Sequence, residues 1–188
     1  MKYAHPFVST AVMTLVYPLA KIAARFHERI VEAAWCVPLR RRPDFTIGTY
    51  MDRYWIIPRN RWFNVYLHFI WESDDDRAMH DHPSDSVSLI LRGGYTEETP
   101  DGVFQRKPGD VVRRRAADLH RLAVNPTHVP TVSLFIMGPI TRLWGFQHGE
   151  NWVPFRDWDA YCAAHGLAQR TQIGGGSDAV SPRKLYQS

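Results

Sequence analysis

Three histidines are the candidate functional residues of this sequence: His80 and His82, separated by one residue, and His120. If the first two lie on a strand, their side chains share one face and Asp81 points away. Neutral imidazoles bind Fe(II), Zn, Cu and Ni. The pattern therefore indicates a divalent metal site, although a His-x-His pair by itself is also common in loops and on solvated strands.

Short strands separated by turn residues must position these histidines. A β-branched and apolar run at 86–92 ends at Gly93, and a turn at 107–110 leads into a further strand before His120. The same rhythm of strand and glycine or proline turn extends over about 53–147. Such a series of short strands predicts an antiparallel barrel or sandwich.

These residues resemble the cupin superfamily, whose motifs are G-x5-H-x-H-x3,4-E-x6-G and G-x5-P-x-G-x2-H-x3-N. The resemblance spans roughly 50–147, and Ser86 stands where the family's glutamate ligand belongs. It implies an all-β cupin fold, a double-stranded β-helix or jelly-roll barrel, in which three histidines bind the metal. The matching residues are His80, His82 and Gly93 in the first motif and Gly109 and His120 in the second.

Within the cupins, the segments from 63 to 99 are similar to the thiol dioxygenases, which also lack the glutamate and bind iron through three histidines. This similarity implies Fe(II) as the cofactor and a small, anionic substrate held by Arg53 and Tyr66. Arg53 aligns with the arginine that binds the substrate carboxylate in that family. The family's His-x-Tyr pair aligns with Leu134 and Ile136, which cannot hydrogen-bond, so we do not expect free cysteine to be the substrate.

Further polar residues lie near the motifs. Ser86 and Ser88 share the inward parity of their predicted strand, and we expect both to line the pocket and contact substrate. The other residues are expected to have structural roles or to face solvent: His68 as a core histidine, Asp81 and Asp85 as surface carboxylates or partners of an imidazole, and 74–76 as a solvated turn.

The combined prediction is a cupin-type, Fe(II)-dependent dioxygenase acting on a small molecule. Zinc or nickel suits the same ligands, and zinc would instead acidify a bound water for hydrolase or lyase chemistry. A non-catalytic binding or sensing module stays open as well, because Ser86 replaces the glutamate and the second motif has lost its proline, second glycine and asparagine. Metal content would discriminate between these classes.

Composition limits the other functions. A chain of 188 residues, 45% hydrophobic, is long enough for one globular domain with its own core. The arginine clusters 40–42 and 113–115 are interpreted as a solvated basic face, so nucleic acid is not an expected partner. Two widely separated cysteines, Cys36 and Cys162, favour a reducing, cytoplasmic setting. A homodimer is left open.

Outside the barrel, the hydrophobic pattern predicts an amphipathic helix within 7–36, packed on the barrel. We expect a helix and basic linker at 1–44, the barrel at 45–155, and a short helix with a flexible tail at 156–188. The apolar part of the first helix is too short for a bilayer, so no transmembrane segment is expected. A cleaved signal or a peripheral membrane anchor are the alternatives for this segment.

Overall fold

The computed structural model describes residues 3–74 and 77–167. The helices are α1 (Pro6–Ala23), α2 (His27–Trp35), α3 (Val37–Arg40) and α4 (Trp158–Ala164). The strands are β1 (Phe45–Ile47), β2 (Met51–Trp55), β3 (Asn64–Ile70), β4 (Met79–His80), β5 (Ser86–Arg92), β6 (Tyr95–Thr99), β7 (Gly102–Arg106), β8 (Val111–Arg114), β9 (Arg121–Val124), β10 (Thr131–Met137), β11 (Gly145–His148) and β12 (Asn151–Pro154).

The strands form two facing layers that enclose a cavity. The first layer is a six-stranded antiparallel sheet in the order β1-β2-β3-β10-β5-β8. The second consists of two three-stranded sheets, β12-β11-β4 and β7-β6-β9. A single antiparallel bridge between His80 and His120 joins these two pieces. This is the predicted jelly-roll barrel, and the all-β fold class with an N-terminal and a short C-terminal helix is confirmed.

The central strands of the first sheet are buried on both faces. One face lines the cavity, and the other packs against the N-terminal helices, chiefly α2. Coverage on both sides buries consecutive residues of a strand rather than every second one, and the first six residues of β5 are all buried. The buried residues of the outer face, with their helix partner Ala34, are Tyr54, Leu67, Phe69, Leu89, Leu91 and Val132.

Helix α1 is fixed to the barrel by both apolar and polar contacts. Met13 is fully buried and packs in a cluster with Val87 of β5. The Ser9 hydroxyl accepts a hydrogen bond of 3.1 Å from the backbone N–H of Asp85. Gly138 permits this approach, since a β-carbon there would lie 2.7 Å from the Ser9 oxygen. The packing predicted for this helix is therefore present.

The expectation of no transmembrane segment stays a prediction, because the length of the first helix by itself does not support it. The helical stretch Pro6–Arg40 contains a segment long and apolar enough to cross a bilayer by length and composition. Helix α1 alone has 18 residues, more than the apolar residues 7–20 on which the expectation rested. Only a small share of this apolar segment is buried.

Some short elements were missed by the sequence patterns. The prediction has no strands at 45–47, 95–99 or 151–154, where the structure has β1, β6 and β12. Each is short, and β1 is exposed throughout, so burial imposes no alternation that the sequence could display. The C-terminal helix predicted at 156–166 corresponds to α4, and the predicted flexible tail lies outside the described residues.

The docking of α1 predicts that two side-chain truncations on opposite faces of this helix lower the free energy of unfolding by unequal amounts. Met13→Ala should lower the free energy of unfolding by about 2–4 kcal/mol, because it leaves a cavity under the helix. Leu15→Ala, at a side chain that is mostly exposed, should change it by less than about 0.5 kcal/mol. Urea unfolding followed by tryptophan fluorescence measures both values. Equal effects would contradict the docked position of α1.

Candidate metal centre

The backbone itself brings two of the predicted histidines together. The N–H of His80 donates to the carbonyl of His120 over 2.9 Å, and the N–H of His120 returns the bond to His80 over 2.9 Å. Residues paired directly across an antiparallel bridge project their side chains to the same face. His82 follows two residues later and is held by a 2.9 Å bond from its N–H to the carbonyl of Ala116.

The three imidazole rings form a nearly equilateral triangle. Their centroids are 4.7 Å apart for His80 and His120, 5.0 Å for His82 and His120, and 5.2 Å for His80 and His82. One ring nitrogen from each histidine lies within 4.8 Å of the others, and the Nε2 atoms of His82 and His120 are 2.7 Å apart. Two nitrogens bound to one ion at about 2.1 Å lie roughly 3 to 3.5 Å apart, a range that these distances bracket.

The electrostatics favour the form of histidine that binds metal. Burial lowers the pKa of His82 well below its usual range, and the neighbouring imidazoles of His120 and His80 lower it further. Burial followed by the charge of Arg114 lowers the pKa of His120 in the same way. Both rings are therefore neutral near pH 7, with lone pairs available to an ion.

A buried carboxylate orients the His120 ring. Oε1 of Glu97 lies 3.2 Å from Nδ1 of His120, and because a carboxylate only accepts, the ring donates this bond. The same carboxylate accepts from Nε of Arg114 at 2.7 Å and from Nε of Arg106 at 2.6 Å. A proton on Nδ1 leaves Nε2 of His120 as the lone-pair donor, which is the atom that faces His82.

Asp74 occupies the corresponding place beside His80. Its Oδ2 lies 3.8 Å from Nδ1 of His80, and it accepts hydrogen bonds from the Tyr50 hydroxyl at 2.6 Å and from the Leu122 N–H at 2.6 Å. Asp74 is buried, so the expectation that 74–76 form a merely solvated turn is wrong for this residue. Its acidic sequence neighbours suggest a solvent-exposed turn, but its two hydrogen bonds come from segments that are distant in sequence.

The histidines line a cavity of about 500 Å³ between the two layers. Three of the four candidate substrate-binding residues, Arg53, Tyr66 and Ser88, contribute to its walls. Ser86 does not, although its parity suggested that it would. It lies at the first position of β5, fully buried, and its hydroxyl has no hydrogen-bond partner among the residues that the structure describes.

Arg53 is held in the wall of this cavity by a fourth histidine. Its Nε donates a 2.9 Å hydrogen bond to Nε2 of His68, its partner across the β2–β3 pair. Its guanidinium lies 4.8 Å from the centre of the Tyr66 ring. Burial, followed by the charge of Arg53, lowers the pKa of His68 well below its usual range, so this ring is a neutral acceptor. His68 is thus a satisfied interior histidine, as expected, and it also lines the cavity.

The structure revises the residues of β10 that face the cavity. Leu134 and Ile136 point outward and pack toward the helices, whereas Ser133, Phe135 and Met137 line the cavity. The alignment of the family's His-x-Tyr pair with Leu134 and Ile136 therefore named the wrong face of the strand. On the adjacent strand β3, Tyr66 and His68 present a tyrosine and a histidine to the same space. The cavity therefore contains a tyrosine and a histidine, the groups whose absence was the reason for not expecting free cysteine as the substrate.

Two further aspartates have structural roles rather than positions at the surface. Asp81 is buried and accepts hydrogen bonds from the Gly145 N–H at 2.8 Å, from the Trp152 indole at 2.9 Å and from Arg142. It thereby ties β4 to β11 and β12. Asp85 is also buried and accepts from the Ala116 N–H at 2.9 Å and from a hydroxyl of α1. Neither aspartate has a recorded contact with an imidazole in the part of the chain that the structure describes.

Sequence reasoning missed Glu97 and Asp74 as partners of the histidines. Tyr95 and Glu97 alternate with more exposed residues along β6, a burial pattern that only the structure shows. An acidic residue on the buried side of a strand needs cationic or hydrogen-bonding partners. For Asp74 no local pattern exists, since its partners come from β9 and from residues before β2.

Comparisons with known proteins show similarity in structure only. No protein-family model matches the sequence, and a search of curated proteins finds no match. DMSP lyase DddQ from Ruegeria pomeroyi has 16% identity over 54% of each chain with a TM-score of 0.44. A double-stranded β-helix protein from Klebsiella pneumoniae has 15% identity over 55% of this chain and 90% of its own, with a TM-score of 0.43. A cupin superfamily protein from Desulfitobacterium hafniense has 16% identity over 53% of this chain and 83% of its own, with a TM-score of 0.40.

The buried network around Glu97 predicts a large loss of stability when its charge is removed. Glu97→Gln keeps the size of the side chain but leaves Arg114 buried without its anion, which should cost about 3–5 kcal/mol of unfolding free energy. The adjacent Glu98, paired with Arg121 nearer the surface, provides the matched control. Glu98→Gln should cost about 1 kcal/mol or less. Chemical denaturation of both variants measures the difference, and equal losses would contradict the role given to Glu97.

Proposed function

We propose that His80, His82 and His120 hold one divalent metal ion, with Fe(II) favoured, and that the protein is an oxygenase related in build to the thiol dioxygenases. The observation that supports this proposal is the convergence of three imidazole nitrogens within 4.8 Å at the wall of a cavity. Two of the three rings are neutral, and one is oriented by a carboxylate.

The donor set fits such an ion. Imidazole suits Fe(II), Zn and Ni, and three neutral ligands leave the full charge of the ion and several coordination positions available. Bound iron would supply the activation of dioxygen. The protein's part is to fix the rings: Glu97 holds His120 by its Nδ1, and the backbone bridge fixes His80 opposite it. Partners of this kind raise metal affinity by orienting each ring before the ion arrives.

The substrate proposed for the cavity is a small organic anion. Arg53 supplies the positive charge, and because His68 engages only its Nε, the two terminal nitrogens remain for a carboxylate or phosphate. Burial and the low dielectric of the cavity strengthen that attraction. Phe135, Leu122 and Phe146 provide apolar surface for the rest of the molecule and exclude water from it. Tyr66 and Ser88 provide hydroxyl groups in the same walls.

The metal assignment predicts that each of the three histidines is needed. Single alanine variants at His80, His82 and His120 should bind Fe(II) or Zn(II) at least about 100-fold more weakly than the unchanged protein, since each removes one of three ligands. Metal titration with a competing chelator measures the affinities. His148→Ala, at a histidine outside the cavity beside Tyr161, is the control and should retain wild-type affinity. Unchanged affinity in any of the three variants, with folding intact, would exclude that residue as a ligand.

Oxygen uptake by the iron-loaded protein tests the reaction and the role of Arg53 together. Thiol compounds bearing a carboxylate, cysteine among them, should be turned over at least about tenfold faster than their carboxamides, because only the anion pairs with the guanidinium. Arg53→Gln should remove this preference, whereas Arg61→Gln, at an exposed arginine outside the cavity lining, should preserve it. Full metal binding without uptake for any compound would favour a binding module or zinc-type chemistry instead.

A further inference from the structure

Within residues 3–74 and 77–167, an apolar surface without a packing partner runs along the outer side of α1 and the 3₁₀ turn that follows it. Residues three or four positions apart share one face of a helix, so its last four members form a continuous line, and the first lies about two turns before them. Each of them is more than half exposed. This surface, the α1 stripe, consists of Phe7, Leu15, Leu19, Ile22 and Phe26.

The barrel of the same chain cannot cover the α1 stripe, because the opposite side of the helix is already docked. Met13 and Ala20 are buried against β5 and its neighbours. Arg113 of β8 donates to the Thr14 hydroxyl at 3.0 Å, and the Thr10 hydroxyl donates to Asp85 at 2.7 Å. These contacts fix the rotation of the helix about its axis and keep the stripe outward.

The charges beside the stripe are positive. From Tyr3 to His27 the chain carries Lys21 and Arg25 and has no aspartate or glutamate. Both cations are exposed, and neither has an ion pair recorded within residues 3–74 and 77–167. Across residues 3–42 there are six lysines and arginines against two glutamates. An apolar stripe bordered by cations is typical of helices that lie in the interface of a bilayer containing anionic lipids.

We propose that α1 docks this protein onto an anionic lipid surface, lying in the plane of the membrane with the stripe among the acyl chains and Lys21 and Arg25 at the headgroups. A spanning orientation would require α1 to leave the barrel, exposing Met13 and breaking the hydrogen bonds to Asp85. A second copy on the stripe would bring the same cations of two chains together. The in-plane orientation keeps every contact of the helix with the barrel.

Flotation of the full-length protein with lipid vesicles tests this proposal. Binding is expected to phosphatidylcholine vesicles containing about 30% phosphatidylserine, and at least about tenfold weaker binding to pure phosphatidylcholine or in about 0.5 M NaCl. Leu15→Glu, and separately Leu19→Gln, should each weaken binding about tenfold or more. Val103→Glu, an equal charge change at an exposed valine of β7, should bind as the unchanged protein does. Circular dichroism verifies the fold of each variant.

The contrary outcomes are distinct. Absence of binding to both vesicle types, or an equal loss in Val103→Glu, would overturn the proposal. Protein that resists release from the vesicles by alkaline carbonate would indicate a spanning helix and overturn the in-plane orientation. If Leu15→Glu converts a dimer to a monomer while the unchanged protein ignores vesicles, the stripe is an interface between two copies. Iron or zinc binding is unaffected by either stripe variant in every case, which separates this test from that of the metal centre.

Discussion

The pair of backbone hydrogen bonds between His80 and His120 is the contact on which the rest of the site depends. It joins two three-stranded sheets into one layer of the barrel, and the same two residues contribute ring nitrogens to the candidate metal centre. A hydrogen-bonded antiparallel pair fixes the separation and the direction of both side chains. The geometry of the site is therefore a property of the sheet, and it does not require an ion to bring these two rings together.

Around this bridge, the interior of the barrel concentrates polar groups that compensate one another. Glu97 shares its carboxylate among His120, Arg114 and Arg106, and Arg53 pairs with His68. A buried charge without a partner is unfavourable. Each of these charges is therefore paired with an opposite charge or with a neutral hydrogen-bond acceptor. The outer face of the six-stranded sheet is apolar and is covered by the N-terminal helices. Burial of this face supplies the hydrophobic stabilisation that the polar interior does not.

The fold and the three histidines were accessible from the sequence because both depend on local signals. His80, His82 and His120 occur at the spacing of the two cupin motifs, and strands such as β5 stand between clear turn residues. One of those turns needs a glycine sterically: a β-carbon on Gly94 would lie 2.4 Å from the Arg106 carbonyl oxygen. Residues whose roles depend on partners from other parts of the fold could not be identified from the sequence.

The errors have a common physical origin. Asp74 and Glu97 gain their partners from strands distant in sequence, and no local pattern records those contacts. On β10, both faces are buried, so burial does not reveal which of Leu134 and Phe135 faces the cavity. A register shift of one residue reverses every side chain of a strand. On β10 such a shift brings Ser133, Phe135 and Met137 to the cavity, whereas the tyrosine and the histidine that line the cavity lie on β3.

The most direct test of the metal centre is a crystal structure of protein loaded with Fe(II) or Zn(II), with diffraction recorded at the absorption edge of the metal. The account predicts one anomalous peak per chain, within about 2.0–2.3 Å of a ring nitrogen of His80, His82 and His120. It also predicts that the backbone bridge between His80 and His120 is unchanged by the ion. No peak between these rings, or a peak at histidines elsewhere in the chain, would contradict the account.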